Sequence, residues 1–180
     1  MDHLNEKTIK TTEIFKGKII DLQIEEVELP DGRLSTREVV KHPGAVAVVP
    51  IKEDGKLVLV RQYRKALQKT IIEIPAGKLE ANENPKFAAM RELEEETGYK
   101  TDSLTFIGSF YTSPGFADEL IHLYLTSHLE VGQSHTDDDE FIDVLEVTLD
   151  EAEKLIEEQQ IHDAKTMYAI QYVRLHNRKE

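Results

Sequence analysis

Three glutamates set the chemical question. Glu92, Glu95 and Glu96 fall at i, i+3 and i+4 within Arg91-Glu92-Leu93-Glu94-Glu95-Glu96-Thr97, so on a helix their carboxylates share one face within a few ångströms. Like charges at that spacing repel, which raises carboxylate pKa values unless something positive intervenes. Two readings compete: a solvated acidic face, the usual fate of a helical charge run, and a site for hard divalent cations, which take oxygen donors. On the same wheel Phe87, Met90 and Leu93 occupy the opposite arc. The expectation is an apolar side packed on a sheet and an acidic side turned away from it.

The surrounding sequence supplies elements to hold that helix. Asn84 can cap it, Pro85 suits the first helical position and Gly98 can end it in the left-handed conformation, which predicts a helix over Pro85–Thr97. Upstream, β-type runs at Lys18–Leu29, Arg33–Lys41, Ala45–Ile51 and Lys56–Gln62 punctuate like an antiparallel meander, with turns at Pro30-Asp31-Gly32 and Glu53-Asp54-Gly55. A fifth run, Thr70–Ile74, stops at Pro75-Ala76-Gly77. Downstream, Leu104–Tyr111, Leu120–Thr126 and Ile142–Val147 read as strands, and Gly132–Glu140 as a polar loop. From Thr148 the pattern is helical, with a break near Ile161–Asp163 and a last helix to about His176. Strands flanked by a few helices without βαβ alternation make the class α+β.

Composition bounds the partners. A length of 180 residues with 39% hydrophobic and 32% charged residues fits one globular core. The net charge of −13 argues against nucleic-acid or anionic-membrane partners, both of which need a basic surface. An anionic substrate would therefore need local cations. The absence of cysteine excludes disulfides, thiolate metal sites and a cysteine nucleophile, and suits a reducing compartment. Met1–Lys10 lacks the apolar stretch of a signal peptide and no run of about 18 apolar residues occurs, so a cytoplasmic location is expected. The seven histidines show neither His-x-His nor HExxH spacing, and none is assigned to metal.

The full pattern decides between the two readings of the glutamates. Gly77, five residues, Glu83, seven residues, Arg91-Glu92-Leu93, one residue, Glu95-Glu96, one residue, Gly98-Tyr99 resembles the Nudix box at every defined position. Seven such fixed residues would coincide in on the order of 10⁻⁵ of shuffled sequences of this composition. Gly77 permits a tight turn with close backbone approach, and Arg91 can hold Glu83 and an adjacent acid. The resemblance implies Glu92 and Glu96 as metal ligands with the Ala76 carbonyl, Glu95 as a further candidate, and two or three Mg²⁺ ions at turnover, with Mn²⁺ an alternative. It implies a mixed-sheet α/β/α sandwich preceded by an N-terminal antiparallel sheet. On this reading residues 1–43 serve dimerisation and substrate contact within one compact unit, and residues 44–180 form the hydrolase domain.

Within that superfamily the chain resembles the ADP-ribose pyrophosphatases. Pro114, sixteen residues after Gly98 in Tyr111-Thr112-Ser113-Pro114-Gly115-Phe116, matches their marker proline, although Ser-Pro-Gly is also ordinary turn chemistry. Arg61 and Arg64 in Val60–Arg64, with Arg37 and Glu38, resemble segments that contact substrate there. The implied reaction is Mg²⁺-dependent hydrolysis of ADP-ribose to AMP and ribose 5-phosphate. The implied general base is a carboxylate in Thr136–Glu140, with Glu140 first and Asp138 or Glu95 as alternatives. A homodimer with exchanged N-terminal strands is also implied, so that Arg37 and Glu38 act in trans. Rivals are a pyrophosphatase for another nucleoside diphosphate sugar or a dinucleotide, and a non-catalytic ADP-ribose sensor.

Overall fold

The computed structural model describes residues 3–135 and 141–177. They divide into two compact units, one running to Gly44 with Phe110–Ile121 added, the other formed by Ala45–Ser109 and the chain from His122 onward.

The first unit is built on an antiparallel meander, β1 (Lys7–Lys16), β2 (Asp21–Glu28) and β3 (Leu34–Lys41), in the order β1-β2-β3. The β2–β3 hairpin turns at Pro30-Asp31-Gly32, where Gly32 takes φ 83° and Asp31 Oδ1 accepts the Arg33 amide. β1 is a correction to the sequence reading, which began the first strand at Lys18. All ten of its residues are exposed, so it lacks the buried alternate face that makes a strand legible. Pairing with β2 makes it a strand, helped by cross-strand contacts such as Thr8 Oγ1 to Glu25 at 2.9 Å.

The second unit holds most of the remaining strand residues. β4 (Ala45–Pro50) and β7 (Ala76–Lys78) pair antiparallel and lie in the order β7-β4-β10-β9, with β9 spanning Thr105–Tyr111 and β10 Leu120–Thr126. A second sheet has the order β12-β5-β6, from β5 (Leu57–Arg64), β6 (Lys69–Glu73) and β12 (Ile142–Val147). Two short strands, β8 (Tyr99–Lys100) and β11 (Glu130–Val131), pair beside them. Three helices complete the described residues: α1 (Pro85–Thr97), α2 (Leu149–Glu157) and α3 (Ala164–Asn177). Thr148 and Glu151 form a reciprocal capping box on α2. No helix among the described residues is long and apolar enough to cross a membrane.

The core that matters for the site lies between α1 and β4. Every residue of β4 is buried, and Val46 and Val48 pack with Ala88, Ala89, Leu93, Leu104 and Tyr124. Leu93 is fully buried, which alone contributes about 1.5–3 kcal/mol. The expected apolar arc needs correction: Phe87 is 66% exposed, and the buried arc runs through Ala88, Ala89, Leu93, Glu96 and Thr97. Two alanines let the helix approach β4 closely, and that rotation carries one of the three glutamates inward.

Candidate active site

α1 is set by local chemistry at both ends. Asn84 accepts the Lys86 amide at 2.9 Å, Pro85 begins the helix, and Gly98 closes it at φ 73° while donating its N–H to the Glu94 carbonyl. Below it β7 brings Ala76 and Gly77 against the carboxylate face. A Cβ on Gly77 would lie 2.0 Å from Glu92 Cδ and 2.1 Å from both its oxygens, so the Glu92 carboxylate occupies the space a side chain would fill. One turn on, Glu96 is only 4% exposed and its Oε2 accepts the Ala76 amide at 3.0 Å. Both glutamates are thus placed against the same three-residue strand.

Arg91 gathers the other acids. It donates from Nε and Nη2 to the two oxygens of Glu83, each at 3.0 Å, and from Nη1 to Glu92 and to Glu95, each at 2.8 Å. This bidentate fork plus two further bonds uses the guanidinium geometry fully. Its proton is held more tightly than in an ordinary guanidinium, first by the hydrogen bonds to Glu83 and then, against the opposing effect of burial, by the Glu92 charge. Those bonds in turn hold the Glu83 carboxyl below its usual range, the Glu80 amide adding to them against a smaller opposing effect of burial.

The substrate-side candidates fall into both units. In the first, Arg37 and Glu38 sit on β3, and the Ser113–Phe116 turn joins that strand through Val40 N–H to the Phe116 carbonyl at 2.7 Å. Arg37 is paired within its own chain, to Glu6 at 2.5 and 2.8 Å. In the second unit Arg61 pairs with Asp143 at 2.5 Å and Arg64 with the buried Glu73 at 2.6 Å. Each of these arginines therefore carries an intrachain carboxylate partner that any phosphate must displace or share. Asp138 and Glu140 lie outside the described residues. Sequence reasoning missed Glu73 and its second partner Lys165, for which the signal was a single glutamate inside the apolar run Thr70–Ile74.

Comparison with known proteins gives this arrangement its family. The NUDIX domain model matches residues 41–169, and a nucleoside diphosphate sugar hydrolase N-terminal domain model matches residues 6–40. The chain belongs to the Nudix family. This Nudix chain is 56% identical over 177 residues to a Bacillus subtilis (strain 168) protein named ADP-ribose pyrophosphatase, covering 97% of this chain and 96% of that one. It is 55% identical over 172 residues to a Bacillus methanolicus protein named methanol dehydrogenase activator, covering 94% and 93%. A solved structure described as an ADP compounds hydrolase superposes with a TM-score of 0.83 at 21% identity, over 94% of this chain and 92% of that one, which shows the fold.

Nudix hydrolases are generally dependent on divalent metal. The residues of the present Nudix site fit such an ion in kind: the donors are carboxylate oxygens, joined by the backbone of a strand that carries no side chain at Gly77. Among the described residues no three acids or histidines already converge on a common ion position, and Arg91 supplies the positive charge beside Glu92 and Glu95.

The Glu83 shift has a measurable consequence. Its pKa is lowered by folding, so its contribution to stability is present above the unfolded value of about 4.5 and is lost as pH falls through the folded value. Melting temperature should therefore drop on acidification below about 4.5, with a shallower drop in Glu83→Gln; parallel curves for the two proteins would contradict this.

Proposed function

We propose that the protein hydrolyses the pyrophosphate bond of ADP-ribose, giving AMP and ribose 5-phosphate, with Mg²⁺ or Mn²⁺ held by Glu92, Glu96 and the Ala76 carbonyl, and Glu95 available to a second or third ion. The observation that carries the reaction class is the placement of Glu92 over Gly77 with Glu96 bonded to the Ala76 amide. What supports the substrate is the 56% identity, along nearly the whole chain, to a protein named ADP-ribose pyrophosphatase.

The chain's own residues divide the work. Such an ion, when bound, neutralises phosphate oxygens and acidifies water, which a doubly charged pyrophosphate bridge requires before any anionic nucleophile can approach. Arg91 keeps Glu83 ionised and fixes the carboxylates of Glu92 and Glu95 through hydrogen bonds from Nη1. Arg64, with Arg61 second to it, binds the diphosphate; in the homodimer reading Arg37 and Glu38 act in trans on the partner's nucleotide, and Ser113, Pro114, Gly115 and Phe116 are the remaining substrate-contact candidates. Glu140 takes the proton from the attacking water, so Glu140→Gln should lower kcat by about 10²-fold with little change in KM. Near-normal turnover would pass that role to Asp138 or Glu95.

The proposal extends to a homodimer whose N-terminal strands, residues 1–43, reach the partner's site, and to action in the cytoplasm. Supporting the dimer, β1 leaves Ile9, Ile14 and Phe15 each more than half exposed; a monomer in light scattering would remove it. A panel of nucleoside diphosphate sugars and dinucleotides, assayed with and without chelator, tests the substrate: the highest kcat/KM should belong to ADP-ribose, and a clear preference for another compound would replace it. The relative named methanol dehydrogenase activator favours a second reading, in which the same site serves to activate a dehydrogenase. Addition of the protein to a methanol dehydrogenase, with and without intact Glu92 and Glu96, tests it.

A further inference from the structure

Beside β6 lies a line of charges that the carboxylate helix does not use. Glu73, the last residue of β6, is 3% exposed, and a carboxylate taken that far from water needs compensation. Two cations provide it. Arg64 donates from Nε to Glu73 Oε2 at 2.6 Å, and Lys165, in the first turn of α3, donates from Nζ to Oε1 at 2.5 Å. Lys165 also donates to Asp163 Oδ1 at 3.0 Å, the same oxygen that accepts the Thr166 amide. The next residue ties the helix to the strand exit: the hydroxyl of Thr166, fully buried, accepts the Ile74 N–H at 3.0 Å.

The two oxygens of Glu73 are thus divided between two donors. A buried carboxylate paired with one arginine is frequently held side-on, through two parallel N–H bonds. Here Lys165 holds one oxygen, so Arg64 is bound through Nε alone. Among the described residues its terminal nitrogens take no hydrogen-bond partner, and its side chain remains 39% exposed. We infer that Lys165 is a positioning residue for substrate binding: by occupying Glu73 Oε1 it keeps the Arg64 fork from closing on Glu73 and leaves its terminal nitrogens to the substrate diphosphate. This rests on the reading above that Arg64 binds phosphate.

Steady-state kinetics on ADP-ribose with saturating Mg²⁺ test it. Lys165→Met is expected to raise KM about 10-fold with kcat within about 2-fold of wild type, and Lys165→Arg to restore KM. In an Arg64→Ala background, itself raised in KM, Lys165→Met should add nothing further. A residue that merely held α3 in place would lower the melting temperature and the active fraction, moving kcat and leaving KM alone; that result overturns the inference. So does a KM unchanged in Lys165→Met while Arg64→Ala raises it. An Arg64→Ala variant with unchanged KM, or a wild-type protein inert toward ADP-ribose, overturns the underlying reading and this inference with it. Should Lys165→Met not fold, Lys165→Ala, which removes the donor to Glu73 and favours the helix, replaces it: raised KM supports the inference and unchanged KM overturns it.

Discussion

Glu96→Gln is expected to lower kcat by about 10³-fold while leaving the protein folded. Glutamine has nearly the shape of glutamate and retains a carbonyl oxygen to accept the Ala76 amide, the bond that ties α1 to β7. No cavity is opened at a site that is 4% exposed, so the melting temperature should stay within about 4 °C. What is lost is the negative charge. If that charge serves only solubility or packing, turnover will be nearly normal; if it holds a cation against the substrate phosphates, turnover collapses. Parallel measurement of kcat and melting temperature separates the two, and kcat within about 3-fold of wild type would remove Glu96 from the proposed metal ligands.

Gly77→Ala is expected to cost about as much activity, on the order of 10³-fold, by a different route. The added methyl would overlap the Glu92 carboxylate at 2.0–2.1 Å, and no atom can stay there. The group that gives way is the tip of a flexible side chain, so the backbone of β7 keeps its pairing with β4 and the cost in stability is small. Glu92 is then displaced from the strand and left with Arg91. The signature is a folded, monodisperse protein with greatly weakened activation by Mg²⁺. A Gly77→Ala variant with normal activity would show that the Glu92 position seen here is not the working one.

The parts of this site that sequence alone disclosed are those whose signals are local. The boundaries of α1 were legible because Asn84, Pro85 and Gly98 act within one turn of the helix they delimit, through a side-chain cap, a fixed φ and a left-handed residue. The i, i+3, i+4 relation among the glutamates was equally local. Which arc of α1 turns inward was not, because a helical wheel ranks Phe87 above Ala88 and Ala89, whereas the close approach to β4 favours the small residues. The burial of Glu96 runs against its polarity and is explained by a hydrogen bond to a residue twenty positions earlier. β1 was illegible for the opposite reason: with no buried face it carries no apolar alternation. The pairing of Glu73 with Lys165 spans 92 residues and depends on where α3 docks.

If these acids make a bridged diphosphate open to water, the fate of ADP-ribose in ¹⁸O-labelled water with Mg²⁺ shows it directly. AMP and ribose 5-phosphate should form in equal amounts, one of them carrying a single heavy oxygen on its phosphate, with no products when the metal is chelated. Release of ADP and free ribose, or unlabelled phosphates in both products, would contradict it.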